Sequence, residues 1–542
     1  MTKNVGTLIP SALPSIQTRF TCGYHPDTPK NPANNPIPST QSIIPNYSIP
    51  KNILPCKKNY TRLSCVKSVK RILYGLVLFA ISIIVLNFGV EAAPPEQVHL
   101  ATNGIPGEMI VQWGTEEDTS AFCSSENNVQ YGIRESDLNQ TKSGNSDMYL
   151  WTTCTHTVTL TELTLNTTYY YRVGGGDEWS DVFSFNTLSE EPEKITIGAI
   201  ADHGTSSNAQ ETTSNMEKEI FDLVIHAGDI SYANGAGSGN GIGDQSVWDE
   251  YQNQIEGLTS KYPHMYAPGN HEEDSEPYGF DAYESRFYTP GTNAFWYSFE
   301  FEFIHFVSIS SEHDYEPGSS QYTWLKNDLE DANNNRENVP WVVVFAHRPM
   351  YSSNGDGDGH GSEIEFREAM EGLLYEYQVD LAVWGHDHHY ERTYPVFEEQ
   401  VYSNNSGSAS EPYYKPGATI HIVAGNAGRS IYDGLEEPKP IWSAYREISY
   451  GYTMFEATKT SINYKFIRNS DGSIGDEFWI INTIDTEKPI IIPNENNNSV
   501  NKTEDDGIVE QIKELNHMSA PLTILVIATT AIFNLNFRKK TV

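Results

Sequence analysis

Five short motifs in the chain carry residues able to bind metal ions: Asp202-His203-Gly204, Gly228-Asp229-Ile230-Ser231-Tyr232, Gly269-Asn270-His271-Glu272, Val344-Phe345-Ala346-His347 and Gly385-His386-Asp387-His388. The donors are carboxylate, phenol, amide and imidazole, with no thiol among them. Such a hard nitrogen and oxygen set suits iron, manganese or zinc. Each motif alone has an ordinary explanation. Asp202 reads as a turn, Asp229 as a turn or helix cap, Asn270 and His271 as a satisfied loop pair, and His347 before Arg348-Pro349 as a packed histidine. His386 and His388 are harder to dismiss, because residues two apart on an extended segment share a face. Five such loops in this order make coincidence the poorer account.

The loops need strands to hold them. Ile195–Ile200, Leu223–Ala227, Met265–Tyr266, His305–Ile309, Trp341–Phe345 and Leu381–Trp384 are apolar runs of buried-strand length. Trp248–Leu258 and Tyr322–Ala332 have helical spacing. The expected fold is an α/β catalytic domain, two sheets packed as a β-sandwich and flanked by helices. Strand-end loops are where such a domain places its site. Ahead of it, from Pro95 to Thr187, the short alternating runs VHLAT, MIVQW, VQYG, HTVTL, YYYRV and FSFNT are separated by turns such as Asn103-Gly104. This all-β stretch resembles a fibronectin type III sandwich of about seven strands.

The motifs and their surroundings, FDLVIHAGDISYAN, YAPGNHE, WVVVFAHRPMY, GHDHHYERTYPV and SAYREISYGY, resemble the purple acid phosphatases within the metallophosphoesterases, over about Pro95 to Asn482. Tyr232 is the telling position. Other metallophosphoesterases commonly have a histidine where this chain has Gly204, and purple acid phosphatases pair that glycine with a tyrosinate. The resemblance implies Fe(III) bound by Asp202, Asp229, Tyr232 and His388, and a divalent ion (Zn, Mn or Fe(II)) bound by Asp229, Asn270, His347 and His386. Asp229 would bridge, and phenolate-to-iron charge transfer would colour the protein. Two such ions can clamp the attacking and leaving oxygens of a displacement, with a metal-bound hydroxide as nucleophile. His271 would contact phosphate or protonate the leaving oxygen. Plant members carry paired histidines soon after the fourth motif. Here the text is SSNGDGDGHGSE, with His360 alone beside Asp356 and Asp358, so His360 takes the place of one of the pair or is a plain loop histidine. The implied activity is acid hydrolysis of phosphate monoesters. The alternatives are another Mn/Zn metallophosphoesterase, a phosphodiesterase or nucleotidase, and a non-catalytic surface protein, against which the full ligand set argues.

Composition bounds the setting. The chain has 542 residues and a formal net charge of -37, which argues against nucleic acid as a partner. An anionic substrate then needs strong local positive charge, which metal ions supply. Two apolar segments, Ile72–Phe88 and Ala520–Leu535, carry basic clusters on their outer flanks (Lys67, Lys70, Arg71; Arg538, Lys539, Lys540). That charge pattern predicts a lumenal or extracellular middle. Whether the first segment is cleaved after Ala92 or Ala93 or anchors the chain, and whether the second spans, are left open. Cys123 and Cys154 form an even pair in this stretch and are expected to be disulfide-bonded, against the alternative of two buried thiols. Sequons at Asn139, Asn166, Asn404, Asn497 and Asn501 are candidate glycosylation sites. The predicted organisation is a disordered Pro/Asn-rich segment over 1–71, a signal peptide or anchor over 72–93, the sandwich over 94–189, the catalytic domain over 190–483, an Asn- and acid-rich linker over 484–518 and a membrane segment over 519–537.

Overall fold

The computed structural model of the protein describes residues 94–482, apart from 117–122, 124–126, 150–152, 237–242, 275–277, 356–359 and 433. Both apolar segments, the sequons at Asn497 and Asn501, and Asp356 and Asp358 lie outside the described residues.

The alternating runs at the start fold as two facing sheets. One has the order β1-β2-β6-β5, from β1 (Glu96–Ala101), β2 (Met109–Glu116), β5 (Asn145–Tyr149) and β6 (Thr153–Leu160). The other has the order β4-β3-β7-β8, from β3 (Asn128–Gly132), β4 (Gln140–Ser143), β7 (Thr168–Gly175) and β8 (Glu178–Trp179), with β9 (Phe183–Asn186) also on β7. Val98, Val111, Trp113, Val129, Val158 and Tyr171 fill the space between them, each fully buried. Six of these nine strands are the runs read from sequence. The other three, β4, β5 and β8, are short or polar and lack the apolar alternation that marks a strand. Cys154 on β6 is disulfide-bonded to Cys123.

Two seven-stranded sheets follow. The first has the order β12-β11-β10-β23-β24-β25-β20. Its strands are β10 (Ile195–Ile200), β11 (Leu223–Ala227), β12 (His264–Ala267), β20 (Tyr413–Tyr414), β23 (Gly451–Ala457), β24 (Ser461–Arg468) and β25 (Ile474–Ile481). The second has the order β13-β14-β15-β16-β21-β17-β22. It is made of β13 (Tyr297–Phe301), β14 (Ile304–Ser308), β15 (Trp341–Phe345), β16 (Leu381–Trp384), β17 (Tyr390–Thr393), β21 (Ile420–Ala424) and β22 (Ser443–Glu447). One apolar core joins the inner faces, with Ile197, Ile225 and Phe455 from the first sheet against Phe306, Val343 and Ile422 from the second. A buried ion pair crosses it: Arg392 on β17 donates to both carboxylate oxygens of Asp476 on β25 (2.6 and 3.0 Å).

Helices cover the outer faces: α1 (Ser207–Met216), α2 (Gln245–Thr259), α3 (Asp281–Arg286), α4 (Ser320–Asn334) and α5 (Ile364–Glu376). Their starts follow from short polar caps: Ser206, Asp244 and Ser319 accept from backbone N–H groups of the first turns of α1, α2 and α4. On α2 the residues Trp248, Tyr251, Ile255 and Leu258 point inward at helical spacing. The sandwich rests on this helix, where the Val98 N–H donates to Glu256 Oε1 (2.8 Å) and the Tyr171 hydroxyl to Ser260 O just past its end (2.7 Å).

Candidate metal centre

The motif strands β10, β11 and β12 run parallel in one sheet, and β15 and β16 run parallel in the other. Each of the five motif loops leaves the C-terminal end of one of these strands. Four of the expected ligands, Asp202, Asp229, Tyr232 and His386, have φ between 53° and 69°. Non-glycine residues in this left-handed region each carry about 1–3 kcal/mol of strain, a feature concentrated at functional sites. The glycines leave room for close approach. A Cβ at Gly269 would lie 2.4 Å from Asp229 Oδ1, and one at Gly385 2.5 Å from Asp202 Oδ2.

Five of the seven expected ligands, Asp229, Tyr232, Asn270, His386 and His388, line one open cavity of ≈ 400 Å³, and the fully buried Asp202 and His347 meet them from behind it. Around Asp202, the Tyr232 hydroxyl lies 3.0 Å from Oδ1 and His388 Nε2 lies 3.3 Å from it, while the His386 N–H donates to Oδ2 (2.8 Å). The hydroxyl is also 3.1 Å from His388 Nε2. On the other side, His347 Nε2 is 3.2 Å from Asp229 Oδ1, 3.1 Å from Asn270 Oδ1 and 3.2 Å from His386 Nδ1. Asp229, His347 and His386 bring ligand atoms within 4.8 Å of one another.

This arrangement fits cations. His347 Nδ1 donates to Ala227 O (3.1 Å) and His388 Nδ1 to Ser430 O (2.8 Å), so each ring turns Nε2 toward the carboxylates. His347 Nε2 then faces two side-chain oxygens and a nitrogen, and a single proton could serve only one of them. Burial disfavours charge on His347, yet the Asp229 carboxylate outweighs it and lifts the ring to about 10. The pocket therefore calls for positive charge at that nitrogen. His386 is held down to about 3 by burial and by the charges of His347 and Arg348, which leaves it neutral. Burial, then the carboxylates of Asp202 and Asp229, hold the Tyr232 phenol well above its usual value. A bound cation reverses that direction and favours the phenolate.

His271 stands at the rim, 31% exposed. Its Nδ1 donates to Asn234 Oδ1 (2.6 Å), and its Nε2 is 3.9 Å from Asp229 Oδ2. Burial lowers its affinity for a proton, and Asp229 pulls the other way. His360 also lines the cavity. Its Nδ1 meets Asp387 Oδ1 (3.2 Å), its Nε2 meets the Tyr432 hydroxyl (3.1 Å), and its ring lies 4.5 Å from that of His386. Asn139, Asn166 and Asn404 are exposed.

Glu272 is a part of the site to which the sequence reading gives no role. It is 1% exposed and accepts from the N–H groups of Asp229, Ile230 and Gly269, each at 2.8 Å. It thus ties the second motif loop to the third. Burial and the charge of Asp229 raise its pKa, while the donated amides pull it back. With three N–H groups aimed at its two oxygens, the geometry fits the ionised form. Its only trace in the sequence is an acid three residues after Gly269. Arg348, Arg429 and Tyr432 also line the cavity, from loops whose chemistry has no recognisable spacing.

Comparison with known proteins adds to this geometry. Residues 95–187 match the family model of the purple acid phosphatase N-terminal domain, 195–390 that of the calcineurin-like phosphoesterases, and 418–477 that of the iron/zinc purple acid phosphatase-like protein C. Acid phosphatase type 7 of Danio rerio is 34% identical over 400 residues, 67% of this chain and 85% of the relative. The Homo sapiens protein of the same name is 32% identical over 433 residues, 73% and 92% of the two chains. The structure of a purple acid phosphatase from yellow lupin (Lupinus luteus) seeds superposes with a TM-score of 0.63 at 25% identity, covering 72% of this chain and 75% of that one.

Proposed function

This chain belongs to the purple acid phosphatase family of metallophosphoesterases, and from that premise we propose that it hydrolyses phosphate monoesters in acid through a binuclear Fe(III)–divalent centre. The observation that carries the reading is the Tyr232 hydroxyl, 3.0 Å from Asp202 and 3.1 Å from His388, beside a second donor group reached through Asp229. Asp202, Asp229, Tyr232 and His388 would hold the ferric ion; Asp229, Asn270, His347 and His386 would hold the divalent ion. When bound, the pair supplies Lewis-acid charge for the phosphoryl group and its attacking water.

The chain's own residues do the rest. Asn234 Oδ1 accepts a hydrogen bond from the Nδ1–H of His271 and so turns Nε2 toward the cavity. From there Nε2 can contact the phosphate and pass a proton to the leaving oxygen. Asp387 and Tyr432 hold His360 at both nitrogens, so it shapes the same mouth, and it would contact substrate only by exchanging one of these partners. Glu272 fixes the loops of Asp229 and Asn270 against each other, so that the donors do not have to be ordered during turnover.

The same reading divides the chain into a sandwich over 94–189 and a catalytic domain over 190–483, and has the enzyme work in a lumenal or extracellular compartment. The Cys123–Cys154 bond supports that setting, as do exposed sequons at Asn139, Asn166 and Asn404. Among the described residues no helix is long and apolar enough to cross a membrane. The test is purified protein assayed at pH 5 on p-nitrophenyl phosphate and on bis(p-nitrophenyl) phosphate, with a visible spectrum. Monoester turnover with a visible band is expected. Preferential diester turnover by a colourless Mn or Zn protein would replace this reading with a phosphodiesterase.

A further inference from the structure

Two guanidinium groups line the metal cavity, and they differ in company. Arg348 is tied to Glu312 (2.8 Å) and Glu363 (3.0 Å). Arg429 is exposed, with its guanidinium carbon 4.4 Å over the Tyr232 ring. Among the described residues its side chain makes no hydrogen bond or ion pair. Its backbone is anchored, since its N–H donates to Asp202 O (2.9 Å). A second cavity of ≈ 300 Å³ adjoins the first, and the two share Tyr232 and Arg429 as a common wall.

The second cavity has the chemistry of an anion site. Among the described residues, none of those lining it is acidic, in a chain with 72 Asp and Glu residues and a net charge of -37. It is lined by Thr205, Ser206 and Asn208, at the start of α1. Ser206 Oγ accepts from the Ala209 N–H (3.2 Å) and donates to Gly428 O (2.7 Å), which locks the helix start in place. The amides of Ser207 and Asn208 have no intrahelical acceptor, and the helix start carries partial positive charge. The wall also includes fully buried His203. Its Nε2 is engaged by Ala209 O (3.0 Å), while its Nδ1 has no partner among the described residues. An arginine with no hydrogen-bonded or ionic partner among the described residues and the open amides of a helix start therefore meet beside the metal donors, with the His203 ring packed behind them against α1 and Tyr251.

We propose that this cavity is a second-anion subsite, which makes the enzyme prefer small substrates carrying two phosphoryl groups. One group would sit at the metal centre while the other is held by Arg429 and the α1 N-terminus. This deepens the phosphatase reading and rests on it. An Arg–phosphate contact is a charge-assisted, two-pronged hydrogen bond, and losing it typically weakens binding about tenfold or more.

The test compares kcat/KM on glucose 1,6-bisphosphate with that on glucose 6-phosphate. Arg429→Gln should lower the ratio about tenfold. Asn208→Asp, which places a negative charge in the second cavity where a helix start tolerates it, should lower the ratio in the same direction. Arg429→Lys should recover part of it. Equal losses on both substrates, or an unchanged ratio in both variants, would overturn the subsite. Calorimetric binding of butane-1,4-bisphosphonate and butylphosphonate to the metal-loaded protein repeats the comparison without turnover. A protein that hydrolyses neither sugar phosphate but keeps the Arg429-dependent preference for the bisphosphonate would lose the phosphatase reading and keep the subsite. One that shows no such preference loses the subsite whatever it hydrolyses.

Discussion

Replacing Glu272 by Gln tests whether the metal donors are held in place before any metal arrives. The carboxylate accepts three N–H groups: Oε2 takes Asp229 and Gly269, and Oε1 takes Ile230, all at 2.8 Å. Glutamine has one acceptor oxygen. Its better orientation keeps that oxygen on the Asp229 and Gly269 amides and turns its NH₂ against the Ile230 N–H. One charge-assisted bond is lost and one buried donor is left unmatched, at a cost of about 2–4 kcal/mol. In a chain this long each kcal/mol moves the melting temperature by only about 1–2 °C, so the expected drop is roughly 3–6 °C. The effect on function should be larger. Asp229 and Asn270 sit on the two loops that Glu272 joins, and a shift near 1 Å at a reacting centre costs about 100-fold in rate. Melting, bound metal by elemental analysis and turnover on p-nitrophenyl phosphate would be measured together, with Glu273→Gln at the exposed neighbouring acid as control. A Glu272→Gln protein with normal metal content and turnover within twofold of the control would refute the argument that this clamp sets the donor geometry.

Four other outcomes are expected. Tyr232→Phe should abolish the visible band while the fold persists, because it removes only the hydroxyl that meets Asp202 and His388; a band that survives in the spectrum assigns the colour elsewhere. His386→Ala should deplete the divalent ion more than the iron in elemental analysis, whereas equal losses would contradict the division of donors. Asp476→Asn should cost about 3–5 kcal/mol in denaturant unfolding, since it leaves the Arg392 guanidinium buried without its charge partner between the two sheets. Cys154→Ser opens a link between residues 31 apart, worth about 3–4 kcal/mol by loop entropy, and a melting temperature unchanged by reduction of the parent protein would count against that figure.

What could be read from the sequence follows from how each feature is encoded. The ligand loops were legible because each follows a short apolar strand, and because a ligand must be one of a few residue types. The strands β10, β11, β15 and β16 carry that signal plainly. The later strands β23 to β25 did not stand out. They mix buried polar residues such as Thr453, Asn463 and Asp476 into the pattern, and their partners are fixed by pairing across the sheet. Glu272 escaped for a related reason. A carboxylate beside a histidine reads as one more acidic surface residue, and only the folded chain brings three amides from two loops onto it. Arg429 is harder still, because its significance lies in the second cavity, whose described lining carries no acid.

The left-handed backbone at Asp202, Asp229, Tyr232 and His386 brings these strands of argument together. At about 1–3 kcal/mol each, four such residues add up to a cost comparable with a domain's entire net stability. Something must hold them there. Part is covalent continuity with fully buried strands, such as β11 and β16, whose ends have no freedom to relax. Part is the polar scaffold: Glu272 on the Asp229 amide and Asp202 Oδ2 on the His386 amide. The remaining term is the cation itself. Asp229 Oδ1 and His347 Nε2 stand 3.2 Å apart, and burial makes an unmatched charge there costly. Metal binding therefore also relieves electrostatic tension in the folded chain, and through mass action it should stabilise that chain. Chelation of the divalent ion should then lower the melting temperature by more in the parent protein than in Asp229→Asn, where one carboxylate charge is already gone. Equal shifts would mean that the strained loops are held by the scaffold alone, and that the metals contribute chemistry without contributing to the fold.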